Sequence, residues 1–337
     1  MLPLIHTSLI DQKAPRLARS GEGRFTRLAG VIALFLLLGF GTQTQSFATV
    51  VPYAVNLGTA KEFAVLLTGP TSGGAVFDLQ GTSVINGDIG LGEGVTMKTS
   101  GKSITIHGDV FTVAPIRFSP GSSIENQQVQ SPAMVNQAIS DAIKFSQTIA
   151  GFTATQTLSS IKTTTTLKGN GGINVIDFKG GDGLALDNKA VLTLSGNAND
   201  IFYINFLDEA GFSISGAAQI ALAGGVNPNN IYWNVVSGKD ITVEGGTVYG
   251  SLLNITRTNS TQEGAGDFTV KNAALYGRIV GGGESSNVIN GTVIEIAEIQ
   301  QAPEVSSIVM LLALGFSTIC PSLLRRWGQR RILFSWA

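Results

Sequence analysis

The sequence predicts a mainly β fold: a β-solenoid (β-helix) with one long lateral α-helix. Three observations carry this: a recurring strand motif, glycine or asparagine at its corners, and one amphipathic stretch that interrupts it. The motif emerges by aligning LTLSG at 192, FSISG at 212, ITVEG at 241 and FTVKN at 268. Each stretch is apolar at positions 1 and 3, polar at 2 and 4, then Gly or Asn, the period-2 pattern of a half-buried strand. The starts are offset by 20, 29 and 27 residues, a spacing that suits stacked coils. The last two repeats continue alike, as TVYGSLL at 247 and ALYGRIV at 274. A β-sandwich has similar spacing and stays the competing architecture.

Corners need positive φ or close backbone approach, which Gly and Asn supply. ING, IHG, LSG and VEG therefore read as corners, with the flanking Ile and Val filling the core. VINGD at 84 and VINGT at 288 repeat one such corner, and His107 takes the place of Asn86 and Asn290.

The interruption is SPAMVNQAISDAIKFSQTIAG, Ser131 to Gly151. Ser131 suits an N-cap, Pro132 the first helical position and Gly151 the C-terminal stop. Val135, Ile139, Ala142, Ile143, Ser146, Ile149 and Ala150 share one face. A helix near 132–150, about 27 Å long, should lie along the solenoid, between an N-terminal set of coils (57–118) and a C-terminal set (170–296).

The ends of the chain differ from its middle. Residues 1–27 carry Lys13, Arg16, Arg19, Arg24 and Arg27, and an apolar run follows from Leu28 to Phe40. With SFA at 46–48, this reads as a signal peptide, 1–48, cut after Ala48. An uncleaved anchor is the alternative. At the other end, Pro303 and Glu304 precede an apolar run from Ile308 to Leu324, then Arg325, Arg326, Arg330 and Arg331. This tail (302–337) resembles the PEP-CTERM sorting signal of Gram-negative bacteria, which implies membrane insertion and then removal by an exosortase-type enzyme. It departs from that pattern at Val305, where a second Pro is usual, and in the trailing ILFSWA. A plain membrane anchor with its arginines inside is the other reading.

The domain between, 49–301, carries 13 basic against 20 acidic side chains, a net charge of −7. An acidic surface excludes nucleic acid as a natural partner. Only 13 % of residues are charged and 43 % are hydrophobic, so the chain is neither disordered nor highly charged. The one cysteine, Cys320, lies in the tail, so no disulfide supports the domain.

NLGTAKEFAVLL at 56, VINGDIGLG at 84, the mid-chain helix, NANDIFYINF at 197, NPNNIYWNV at 227 and GSLLNI at 250 occur in that order. Together they resemble the bacterial ice-binding-like domain and the related choice-of-anchor A domain. GGINVIDF at 171 leans toward the latter. The resemblance implies coils that are discontinuous along the chain, the N-terminal ones beside the C-terminal ones. VINGD would then lie near VINGT.

Catalytic chemistry finds little support. One His and no Cys in the domain give neither a nucleophilic triad nor a zinc set. GGDGLALDN at 180 resembles a calcium nonapeptide, but Ala185 replaces its Asp and it occurs once. Asp208 and Glu209 are adjacent, and neighbours on a strand point to opposite faces. A solvated loop suits them better than the acid/base pair of a carbohydrate-active β-helix enzyme. Asp177, Asp182 and Asp187 are the other clustered carboxylates.

Binding by a flat face is the stronger expectation. Thr193, Ser213, Thr242 and Thr269 are the outward residues of one column, and Ser195, Ser215, Glu244 and Lys271 of the next. Hydroxyls about 4.8 Å apart suit ordered water, an ice plane or a glycan. Glu244 beside Lys271 reads as a cross-strand ion pair. KTTTTLKG at 162 reads as a linker, and the aromatics of FYI at 202 and IYW at 231 as largely core. The chain is thus expected to be a non-enzymatic, cofactor-free protein of the cell envelope, cell surface or extracellular matrix. Its ligand would be ice or a surface or glycan, as in an ice-binding protein or adhesin. A ligand-free biofilm scaffold is the alternative.

Overall fold

The computed structural model describes residues 52–69, 74–101, 103–115, 122–124, 127–255, 266–283 and 286–294. The expected signal peptide and the tail with Pro303 and Glu304 lie outside these residues. Among the described residues no helix is long and apolar enough to cross a membrane.

Among the described residues every strand pair is parallel, and the pairs join into three ladders. The first runs Gln156–Ile161, Ile173–Leu186, Ile201–Phe206, Ile231–Val235, Ser251–Asn254 and Ile279–Gly281. It continues, against chain order, through Val65–Leu67, Ile89–Leu91, Val110–Thr112 and Gln128–Gln130. The second takes the end of Ile173–Leu186, then Gly211–Ile214, Ile241–Glu244 and the first halves of Phe268–Tyr276 and Ser286–Ile294, then Ala75–Gly81 and Val95–Gly101. The third begins as a separate sheet of Thr165–Lys168, Val191–Ser195 and Gln219–Ala223. It resumes with Thr247–Tyr249, residues 274–276 and 292–294, Val84–Asn86, Ile104–Ile106 and Ser122–Ile124.

Inward residues of all three ladders form one core. Alternation puts every second side chain there, and the repeat stacks like on like. The Phe178 and Phe206 rings lie 4.9 Å apart and 2° from parallel, and Phe212 meets Trp233 edge-on at 5.3 Å. Corners repeat too. The Asp109 amide donates to Asp88 Oδ1 at 2.8 Å and the Gln127 amide to Asp109 Oδ1 at 2.9 Å. The amides of Asp267 and Ser286 likewise donate to Asp240 and Asp267. Asn272, in FTVKN, holds φ at +50° as a corner asparagine should.

Several expectations need correction. LTLSG belongs to the third ladder, not to the column of FSISG, ITVEG and FTVKN. Its 20-residue offset is a step between ladders, whereas its own stacking partner, Ile220 against Leu192, is 28 residues on. The two VING stretches do lie in adjoining repeats, but at different corners. Val84–Asn86 pairs with Thr292–Ile294, while Val288 and Ile289 pair with Asp78 and Leu79. His107 follows the Asn86 corner alone, its amide donating to the Ile85 carbonyl at 2.8 Å. The KTTTTLKG stretch is the outermost strand of the third ladder, because Leu167 finds Leu194 to pack on. The N-terminal set reaches Gln130, and the C-terminal set starts at Gln156.

Helix α1, Pro132–Ala150, carries the chain back from one end of the stack to the other. Its buried stripe is Val135, Ala138, Ala142, Phe145, Ser146 and Ile149. Ile139, Ile143 and Ala150 are only half-buried, and Ala138 and Phe145 take the central place instead. The Ser131 side chain makes no cap bond, and Gly151 stays right-handed at φ −84°. The stripe packs on the outer side of the first ladder, against Leu66, Val175, Tyr203, Tyr232, Leu253 and Val280.

A buried polar row fixes this contact. Asn205 Nδ2 donates to Asp177 Oδ1 at 3.0 Å and to the Ile149 carbonyl at 3.0 Å. Asn234 Nδ2 donates to Asn205 Oδ1 at 2.9 Å, and Ser146 Oγ donates to Asn234 Oδ1 at 2.6 Å. Residues 53–59 then cross the helix. The Thr59 amide donates to Asp141 at 2.8 Å, the Val55 amide to the Tyr203 hydroxyl at 3.0 Å, and Tyr53 packs on Phe152.

Candidate functional site

Among the described residues the helix covers the first ladder, and the outward residues of the second and third ladders are half-buried or exposed. On the second, Ala185, Ser213, Thr242 and Thr269 stand in register, one per strand, with Val288 and Asp78 next in line. All six are half-buried. β-Stacking sets successive rows about 4.8 Å apart, so three hydroxyls span about two such steps. The flanking column begins with Ser215, followed by Glu244 and Lys271, whose charged atoms approach to 3.7 Å. Both are well exposed, so the pair is screened and binds loosely.

The six residues singled out from the sequence thus divide. Ser213, Thr242 and Thr269 share one column, with Ser215 beside them. Thr193 and Ser195 stand on the third ladder, where Thr166, Thr193 and Ala221 form one column and Lys168, Ser195 and Ala223 the next. The residues that sequence reasoning passed over are Tyr249 and Tyr276. They stack outside the third ladder with ring centroids 5.2 Å apart and planes 18° apart. The repeated TVYG and ALYG words carried that signal.

Four carboxylates are tied to neighbouring groups. Glu209 sits in the turn after Phe206, with Asp208 at φ +53°, and pairs with Lys239 at 2.7 Å, which holds its carboxyl below the usual range. Asp182 is lowered in the same way by Lys162. Asp177 bonds to Lys179 at 3.1 Å and to Asn205. Asp200 is fully buried. Burial pushes its carboxyl up, but donors from the Asn197, Gly171 and Gly172 amides and from Asn174 Nδ2 outweigh this and hold it below its ordinary value. Phe202, Tyr203, Tyr232 and Trp233 are buried, so none of these aromatics is offered to a ligand. Among the described residues no group of three His, Cys, Asp or Glu could hold a metal.

The parallel stack with a covering helix is a known arrangement. The ice-binding-like family model matches residues 71–280, more than half of the chain, and the chain belongs to that family. Among solved structures, an ice-binding protein with antifreeze activity from an Arctic yeast shares the fold. It is 19 % identical, with a TM-score of 0.51, over 74 % of this chain and 98 % of its own. An ice-binding protein from the Antarctic ascomycete Antarctomyces psychrotrophicus is 20 % identical, covering 73 % of this chain and 100 % of its own (TM-score 0.48). The corresponding domain of Shewanella frigidimarina ice-binding protein 1 is 16 % identical, covering 74 % and 100 % (TM-score 0.49). No curated protein matches the chain.

Proposed function

We propose that the chain is an exported, non-enzymatic protein that binds ice, or a surface of similarly regular spacing, through the outer side of its second ladder. The carrying observation is the in-register column Ser213, Thr242 and Thr269. Short side chains on a backbone held by parallel ladders keep hydroxyls at a fixed repeat without reorganisation on binding. Membership of the ice-binding-like family supports ice as the ligand. In this reading the three ladders wind as one discontinuous β-solenoid. The choice-of-anchor A relationship, the signal cut after Ala48 and the Pro303–Glu304 sorting tail belong to the same proposal. They deliver the domain to a Gram-negative envelope through membrane insertion and an exosortase-type enzyme.

Thermal hysteresis and recrystallisation inhibition by the purified protein test the ligand. Activity should fall to background in Thr242→Tyr with Thr269→Tyr, which raises two bulky rings on the column. Wild-type protein inactive in both assays defeats the ice reading and leaves adhesion or scaffolding. Deleting the chain after Ala302 should keep the protein from the surface; normal display would defeat the sorting reading.

A further inference from the structure

The third ladder contains a step. Its first three strands form a sheet of their own, and the ladder resumes in the main sheet only at Thr247–Tyr249. The two parts still stack closely: a Cβ on Gly246 would run into the carbonyl oxygen of Ala218. Counting residue by residue from that contact sets Thr247 over Gln219 and Tyr249 over Ala221. Tyr249 therefore has two different neighbours. One side of its ring rests on Tyr276 at 5.2 Å. The other side looks along the stack over Ala221, Thr193 and Thr166, three small residues in register.

This makes a shelf three rows deep, about 10 Å long between its first and last rows, walled by an aromatic ring. Its floor is open to solvent. Thr166 is exposed, and Thr193 and Ala221 are half-buried. Thr193 and Ser195 add hydroxyls, and Gln219 and Thr247 edge the seam. None of these side chains is charged; the flanking cation is Lys168, which stands in register beside Ser195 at the outer corner of the shelf.

We propose that this step is a binding subsite for a neutral saccharide unit of a glycan chain. A pyranose has an apolar C–H face and a rim of hydroxyls. The face suits the side of the half-buried Tyr249 ring that is turned toward Ala221, and the rim suits Thr193 and Thr166. An uncharged lining disfavours acidic sugars and phosphorylated ligands, which would lose hydration without a counter-charge. The raised ring also breaks the flatness that an ice plane needs, so this site is separate from the hydroxyl column of the second ladder.

The test is calorimetric titration of the full chain with neutral hexose oligomers, cellotetraose and maltotetraose. Binding of at least one is expected. Tyr249→Ala should weaken it by about tenfold or more, equivalent to about 1.4 kcal/mol, while Tyr249→Phe keeps it. Ala221→Trp, which fills the shelf and leaves Tyr249 in place, should abolish it. The pair Thr242→Tyr with Thr269→Tyr should leave it unchanged, whatever that pair does to ice activity. No binding of either oligomer, equal affinity in Tyr249→Ala and Ala221→Trp, or preference for an acidic oligomer such as tetragalacturonate would overturn the proposal.

Discussion

The first and second ladders are built alike and end in opposite roles. Both are parallel stacks whose inward residues feed one core. They differ on their outer sides. The first carries Tyr203, Tyr232, Leu253 and the Asp177–Asn205–Asn234 row, all buried under α1. The second carries Ser213, Thr242, Thr269 and charges in water. Strand geometry therefore supplies regular spacing to both, and the outward residues alone decide whether it is spent on packing or kept for a ligand.

Substitutions at matched outward positions should break this symmetry by very different amounts. The largest loss is expected for Tyr203→Ala. The ring is fully buried, packs on Phe145, Phe152 and Tyr232, and holds the Val55 amide. A cost of about 3–5 kcal/mol should appear in denaturant unfolding. Asn234→Ala follows, at about 1–3 kcal/mol, because it strands Asn205 Oδ1 and the Ser146 hydroxyl in the buried row. A cost near zero there would mean that the row does not seat the helix.

Acid should act next, through Asp200. Its folded pKa lies below the unfolded value, so its contribution is full above the unfolded carboxylate pKa and is lost as pH falls through the folded one. Asp200→Asn should flatten the acid limb of a stability–pH curve; an unchanged limb would assign acid sensitivity elsewhere. On the second ladder, Thr269→Ala should stay within about 0.5 kcal/mol of wild type. A double-mutant cycle on Glu244 and Lys271 should return less than about 1 kcal/mol and shrink with salt.

Much of this could be read from the chain because the repeat is written in its periodicity. FSISG, ITVEG and FTVKN align because coils of similar length, 29 and 27 residues, set their spacing. LTLSG misled because the same alternation serves strands in every ladder, and five letters do not record which ladder a strand joins. The shared column of Ser213, Thr242 and Thr269 was legible for the first reason, and Thr193 and Ser195 were aligned with the wrong ladder for the second. The helix was visible from its period, but not its polar seat, since Asn205 and Asn234 lie in runs that read as plain buried strand. The Tyr249 wall needed the stacking register, which repeats of unequal length conceal.

The place where the N-terminal strands join has a consequence for how the molecule is made. Thr68 bonds to the Gly282 carbonyl across 214 residues, and Arg278 Nε to the Lys61 carbonyl across 217. The segment synthesised first thus waits for one of the last before its edge is covered. Contacts of such long range form slowly, and an unpaired strand edge invites aggregation meanwhile. A ribosome releasing this chain from its front end holds an unfinished stack until residue 294 has emerged. A nascent chain stopped short of Ile279 should leave Val65–Leu67 without its neighbour on one side, however complete the rest of the stack.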